Sequence, residues 1–147
     1  MPARGIHHLD LAVGDVDRSL AFYLGLLGPL GLREEARTPT YRGTEEVVYL
    51  RFAQQLLGLR PADDPVYRHY AAGIEHLAFY VDTRDEVHAA HARAVALGAS
   101  IQFPPQDYGD GCCELFVFDP DGIRVEICCC PADYPPTDHP PSQGAAP

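Results

Sequence analysis

"HHLDLAVGDVDRSLAFYLGLLGPLG", residues 7–31, decides the fold because a second stretch, "EHLAFYVDTRDEVHAAHARAVALGA" at residues 75–99, repeats its pattern. When the two stretches are aligned, His8 falls on His76. Each copy opens with alternating apolar and polar residues, which is typical of a half-buried strand, and continues with the spacing of a helix. The sequence therefore contains a duplicated strand-helix unit with a histidine on each strand.

The ends of both helices and the strands that follow them are also predicted. Asp15 or Asp17 is placed to cap the first helix, and residues 83–86, Thr-Arg-Asp-Glu, fit a capping box for the second. Gly28 and Gly98 are expected to close the two helices. Strand-like runs follow near residues 32–37, 46–52 and 54–60 in the first copy, and near 100–103, 113–118 and 123–129 in the second. We therefore predict an α+β fold of two tandem βαβββ modules.

Length and composition indicate how these modules are organised. The chain has 147 residues and is 46% apolar, which is enough for one domain with its own core. We expect a single domain over residues 1–130, with module one at about 5–60 and module two at about 73–130. Residues 131–147 contain six prolines and are expected to form a disordered tail.

Charge and cysteine usage exclude several classes of function. A formal charge of -10 would repel a phosphate backbone, so nucleic acid is not an expected partner. The sequence has no apolar run long enough for a membrane span and no apolar leader, so we expect a cytoplasmic protein. All five cysteines lie at residues 112–113 and 128–130. Adjacent cysteines on a strand point to opposite faces, so we do not expect a disulfide framework.

The duplicated plan, together with the motif "DPDGIRVEI" at residues 119–127, resembles the vicinal oxygen chelate superfamily. This family includes glyoxalase I, extradiol dioxygenases, fosfomycin-modifying enzymes and bleomycin-resistance proteins. The resemblance covers roughly residues 5–130. It implies that the mixed sheets of paired modules curl into a cup that contains one divalent metal ion.

The resemblance also implies the metal ligands. His8 matches the histidine on the first strand of module one, His76 its equivalent in module two, and Glu126 the carboxylate of the motif. Imidazole nitrogen and carboxylate oxygen suit Zn, Fe(II), Mn, Ni or Co. Strand alternation places His7 on the opposite face from His8, so His7 is not expected to be a ligand. The structural alternative is that His8 and His76 are ordinary polar residues of the interior.

Two positions depart from the patterns of well-known relatives. Glyoxalase I uses a fourth ligand at the position of Gly58, which has no side chain, and Gln54 is too far along the strand to replace it. Extradiol dioxygenases and fosfomycin-modifying enzymes usually carry a tyrosine ten residues before the carboxylate ligand, where this chain has Phe116. A phenyl ring cannot donate a hydrogen bond. Both differences weaken the case for the standard reactions of these relatives.

Further residues are predicted to point into the cup. Asp10 and Glu114 are candidate catalytic carboxylates beside Glu126, although each could instead pair with an inward-facing arginine. A thiolate at Cys128 near the metal is conceivable, but a small buried hydrophobic role is the more common one for cysteine. The candidate substrate-binding residues are Phe116, Tyr80, Arg60, Arg124 and Tyr108.

These residues leave two classes of function open. The first is a metal-dependent lyase, isomerase or dioxygenase that acts on a small oxygen-chelating metabolite or xenobiotic. The alternative is a drug or metabolite binding protein of the bleomycin-resistance type, which performs no catalysis. A homodimer is expected in either case. The sequence leaves open whether the cup forms within one chain or between two.

Overall fold

The computed structural model describes residues 5–41, 43, 45–109 and 111–133. The chain divides into two compact units, Met1–Tyr67 and Arg68–Pro147. Residues 134–147, which make up most of the predicted disordered tail, lie outside the described residues. No helix in the described part of the chain is long and apolar enough to cross a membrane.

The first unit is a four-stranded mixed sheet with one helix. Its elements are β1 (His8–Val13), α1 (Val16–Leu27), a 3-10 turn (Gly28–Leu30), β2 (Arg33–Pro39), β3 (Glu46–Phe52) and β4 (Gln55–Pro61). The strand order is β1-β4-β3-β2, with β1 parallel to β4 and the other neighbours antiparallel. The apolar face of β1 is buried at Leu11 and Val13.

The second unit repeats this topology. It consists of β5 (His76–Tyr80), α2 (Arg84–Ala96), β6 (Ser100–Asp107), β7 (Cys113–Phe118) and β8 (Arg124–Cys129). Its strand order, β5-β8-β7-β6, is the order of the first unit, and β5 is parallel to β8 as β1 is to β4. The predicted duplication of a βαβββ module is therefore confirmed.

The helices begin where the capping residues predict. The side chain of Asp15 accepts a hydrogen bond from the backbone N–H of Arg18 at 2.9 Å. Thr83 and Glu86 form the reciprocal capping box at the start of α2. The end of α1 differs from the prediction. Gly28 keeps a right-handed conformation, and the chain turns only at Gly31, whose φ of 101° favours glycine.

The expectation that the cysteines form no disulfide framework is wrong for one pair, because Cys112 and Cys130 are joined. The antiparallel register of β7 and β8 places Cys113 opposite Cys129. Cys112 directly precedes β7 and Cys130 directly follows β8, so the two residues come together with their Cα atoms 4.2 Å apart. The opposite directions of adjacent cysteines on one strand say nothing about a contact between cysteines of two different strands.

Candidate functional site

In the second unit, the predicted site residues that lie on strands share one face of the sheet, which we call the polar face. On β8 this face carries Arg124, Glu126 and Cys128, and β5 and β7 flank that strand on either side. The register pairs His76 with Arg124, and Glu126 with Phe116. Side chains two apart on a strand point to the same side, so this register brings the predicted ligands of module two together.

The central pair of the polar face is His76 and Glu126. The Nε2 atom of His76 lies 3.1 Å from a carboxylate oxygen of Glu126. Two donors bound to one ion at about 2.1 Å lie about 3.0 Å apart at a right angle and about 3.4 Å apart in a tetrahedron. A hydrogen bond gives a similar distance, but the observed separation fits two ligands of one ion without rearrangement.

The other nitrogen of His76 is held by a residue that the sequence analysis did not single out. Glu75 contacts Nδ1 of His76 and also accepts a hydrogen bond from Arg124 at 2.6 Å. Burial opposes the ionisation of Glu75, but the hydrogen bonds from His76 and Arg124 outweigh it and lower the pKa of the carboxyl. An ionised carboxylate on Nδ1 orients the ring and presents Nε2 to a metal.

Burial makes the carboxylate of Glu126 costly to ionise without a cation. Its side chain is 11% exposed, and burial together with the charge of Glu114 raises its pKa. The side chains of Glu114 and Glu126 are both buried. A divalent ion beside Glu126 would offset this cost, so the residues present fit a metal.

The thiol of Cys128 is also close to Glu126. Burial, followed by the charge of Glu126, raises the pKa of Cys128 to about 12. The side chain therefore remains a neutral thiol that hydrogen-bonds Glu126 and contacts the carbonyl of Phe79 at 3.8 Å. This environment favours the structural role of Cys128 over a thiolate ligand.

Arg124 and Phe116 support the pair from one side. The guanidinium carbon of Arg124 lies 4.9 Å from the centroid of the Phe116 ring, which is a cation–π distance. The Phe116 ring also contacts the ring of His76 edge-on, with centroids 6.1 Å apart. Arg124 also donates a hydrogen bond to Glu75 at 2.6 Å, so its guanidinium contacts both a carboxylate and the Phe116 ring.

Two tyrosines predicted to bind substrate are bound to other groups of the second unit. Tyr80 is half exposed, and its hydroxyl donates to the backbone carbonyl of Cys130. The hydroxyl of Tyr108 donates to Gln106 at 3.2 Å, and its backbone N–H donates to the carbonyl of Cys112. The rings are still available for packing, but both hydroxyls already have partners.

In the first unit, His8 begins β1 and is exposed. Its ring meets the ring of Tyr49 edge-on, with centroids 6.3 Å apart. His7 is exposed as well, and the Nδ1 atoms of His7 and His8 are 2.9 Å apart. His7 precedes the first residue of β1, so strand alternation does not set its direction.

Asp10 forms an ion pair with Arg60, which was one of the two roles considered for it. One carboxylate oxygen of Asp10, Oδ2, contacts Arg60, while the other, Oδ1, is buried without a hydrogen-bond partner among the described residues. The carboxylate also occupies the space above Gly58. A Cβ atom on Gly58 would lie 2.9 Å from Asp10 Cγ and 2.9 Å from Tyr49 Cε1, closer than real Cβ atoms approach.

The acidic residue lies on a different strand in each unit. Asp10 on β1 pairs with Gly58 on β4, whereas Ala78 on β5 pairs with Glu126 on β8. Each unit thus has one acidic residue beside one small residue, in opposite order. Gly58, at the position of the missing fourth ligand, is the small residue that makes room for Asp10.

Comparison with known proteins agrees with this architecture. The family model of the Glyoxalase/Bleomycin resistance protein/Dioxygenase superfamily matches residues 5–127. The chain is 30% identical over 131 residues to the Bacillus subtilis protein YwkD, covering 86% of this chain and 98% of YwkD.

Solved structures with the same fold include enzymes. The chain is 26% identical to a lactoylglutathione lyase from Agrobacterium tumefaciens, with a TM-score of 0.65 and coverage of 88% of this chain and 96% of the lyase. A fosfomycin resistance protein, FosX, from Listeria monocytogenes in complex with Mn(II) and sulfate is 18% identical, with a TM-score of 0.69 and coverage of 90% and 97%. The latter shows the fold alone. The repeated topology and the family match together show that this chain belongs to the Glyoxalase/Bleomycin resistance protein/Dioxygenase superfamily, the vicinal oxygen chelate fold.

Proposed function

We propose that this chain is a divalent-metal-dependent enzyme, a lyase, isomerase or dioxygenase, that acts on a small oxygen-chelating metabolite or xenobiotic. The observation that carries the proposal is the His76–Glu126 pair. Its donor atoms are 3.1 Å apart, and Glu75 binds the opposite nitrogen of the imidazole. A histidine that only filled space would not need a carboxylate on each ring nitrogen.

The proposed ligands are His76 and Glu126 of the second unit and His8 of the first. His8 would come from the same chain or from a second copy in a homodimer. Imidazole and carboxylate donors suit Zn, Mn, Fe(II), Ni or Co. When bound, the ion would supply Lewis-acid polarisation of substrate oxygens.

The remaining residues of each unit have distinct proposed tasks. Glu75 fixes the orientation of His76, so that Nε2 is available to the ion. In the second unit, Phe116 offers an apolar ring to the substrate, and Arg124 keeps that ring in place. Glu114 is buried beside Glu126 and is a second acidic group for moving a proton.

In the first unit, Asp10 is the proposed general base. Arg60 binds Oδ2 of Asp10, so Oδ1 is the oxygen that would accept a proton. Proton transfer of this kind belongs to lyase and isomerase chemistry more than to oxygenation.

Turnover by the metal-reconstituted chain tests the proposal. The substrates are a glutathione hemithioacetal, a catechol and fosfomycin, and each is assayed with and without a chelator. We expect at least one reaction, with the rate falling by about 100-fold or more in Glu126→Gln. His88→Ala is the matched control, because His88 is exposed on α2 and should keep full activity.

The alternative of a binding protein has a different outcome. The acidic charge of -10 would suit a cationic drug such as bleomycin. If the metal-free chain bound bleomycin, and none of the three substrates turned over with or without metal, the enzyme proposal would be contradicted.

A further inference from the structure

The second unit contains another group of metal-binding donors, which we call the thiol site. It consists of Cys112, Glu114 and Cys130, and one donor atom of each lies within 4.8 Å of the others. Cys112 is fully buried, Glu114 is 7% exposed and Cys130 is half-buried. None of these residues belongs to the His76–Glu126 pair.

Strand pairing builds the thiol site at the end of the sheet. Glu114 on β7 pairs with Cys128 on β8, and the next residue pair is Cys113 with Cys129. Cys112 directly precedes β7 and Cys130 directly follows β8, and their disulfide holds both residues close to Glu114. The three donors meet because two adjacent strands end together.

The loop before β7 is shaped to bring Cys112 to this position. Gly111 has a φ of 104°, which glycine adopts without strain. Pro131 packs against Gly111, because a Cβ atom built on Gly111 would lie only 2.9 Å from Pro131 Cγ. The backbone N–H of Tyr108 donates to the carbonyl of Cys112 at 3.2 Å. These contacts fix the loop against the residue that follows Cys130.

We propose that the thiol site binds a thiophilic divalent cation, such as Zn²⁺, when the Cys112–Cys130 disulfide is reduced. Two thiolate sulfurs and one carboxylate oxygen form a donor set that favours Zn²⁺ and Cd²⁺ over harder ions. In the disulfide form the two sulfurs are bonded to each other and do not serve as thiolate ligands. Binding is therefore controlled by the redox state of one cysteine pair.

The redox step balances with an ordinary low-molecular-weight thiol. Two molecules of the thiol give up two electrons and two protons in total, the Cys112–Cys130 bond breaks, and the reagent becomes its own disulfide. The products on the chain are two thiols. Cation binding then displaces one proton from each thiol.

The thiol site does not share an ion with the His76–Glu126 pair, although Glu114 takes part in both proposals, as a donor of the thiol site and as the acidic neighbour of Glu126. Cys130 lies four residues beyond Glu126, which corresponds to about 13 Å along a strand. Ligands of one ion lie within about 2.3 Å of it, so Cys130 and Glu126 do not share an ion. Failure of one proposal is distinguishable from failure of the other, because the thiol site is read out through its two sulfurs and the proposed function through His76 and Glu126.

Neighbouring cysteines provide controls within the same segment. Cys129 contacts the carbonyl of Asp82 through its sulfur at 3.5 Å and is not part of the thiol site. It is the residue next to Cys130 and remains a free thiol in the structure. Cys129→Ser therefore changes the same tripeptide without removing a proposed ligand.

Cadmium titration of the full chain tests the proposal. The thiolate-to-Cd²⁺ charge-transfer absorption reports sulfur ligands only, so the imidazole and carboxylate site does not contribute to it. Reduced wild-type protein and Cys129→Ser are expected to bind one Cd²⁺ with this absorption, whereas the oxidised protein shows none. Because even hydrogen-bond partners of ligands change affinity by about 10- to 100-fold, Cys112→Ser or Cys130→Ser should weaken binding by more than about 100-fold.

A second measurement uses only the wild-type chain and does not depend on the folding of variants. Alkylation followed by peptide mass spectrometry should show that Cd²⁺ protects Cys112 and Cys130 but not Cys129. The proposal is overturned if oxidised and reduced protein give the same absorption, if Cys129→Ser loses it, or if Cd²⁺ protects a different pair of cysteines. It is also overturned if mild oxidation joins a pair other than Cys112 and Cys130.

Discussion

Replacing Gly58 by alanine tests whether the carboxylate of Asp10 fills the place of a side chain on β4. The added Cβ would lie 2.9 Å from Asp10 Cγ and from Tyr49 Cε1. Asp10 is held by its ion pair with Arg60, so it cannot move aside without weakening that pair. Overpacking of this kind costs about 1–3 kcal/mol, and we expect the free energy of unfolding to fall by that amount.

Urea unfolding followed by circular dichroism measures this change, and Gly28→Ala is the matched control. Gly28 has an ordinary right-handed φ of -55°, and no atom lies within 4 Å of a Cβ built there. Alanine at position 28 should be neutral or stabilising by up to about 1 kcal/mol.

A double-mutant cycle with Asp10→Ala identifies the contact responsible. If Asp10 is the main obstacle, Gly58→Ala should cost at least about 1 kcal/mol less when residue 10 is alanine. Asp10 is not the obstacle if Gly58→Ala is as harmless as Gly28→Ala, or if Gly58→Ala costs the same with and without the Asp10 carboxylate.

Three further predictions concern the polar face of the second unit. Glu75→Gln should weaken metal affinity by about 10- to 100-fold in a chelator competition, because His76 loses the carboxylate that orients it; unchanged affinity would show that Glu75 has no such role. Burial raises the pKa of Glu126, so its contribution to stability is present at low pH and is lost as the pH rises through that pKa. Metal-free Glu126→Gln should accordingly unfold at higher urea than wild type at pH 7, and equal or lower midpoints would contradict this sign. Since the pKa of Cys128 is about 12, its alkylation by iodoacetamide at pH 8 in the folded protein should be at least about tenfold slower than that of a free thiol peptide, as mass spectrometry can measure.

The fold was predictable because its determinants are local in sequence. Alternation around His8 and His76, the Thr83 capping box and the turn residues all report structure within a few residues of themselves. Repetition of the same pattern then gave the duplicated module without any information on tertiary contacts.

The parts of the site that the sequence did not reveal depend on contacts between strands. Glu75 precedes β5, so strand alternation gives no direction for its side chain, and its contact with Arg124 requires the parallel β5–β8 pairing. The Cys112–Cys130 disulfide likewise requires the β7–β8 register. Hydrophobic periodicity does not specify register between distant strands, so these contacts appear only in the folded chain.

The most direct test of the account is the metal content of the chain purified without chelators and with the Cys112–Cys130 disulfide intact. Elemental analysis would compare wild type with His76→Ala and with the exposed control His88→Ala. We predict about one transition-metal ion per chain in wild type and in His88→Ala, and almost none in His76→Ala. Wild-type protein without metal even after reconstitution, or His76→Ala with undiminished metal, would contradict it.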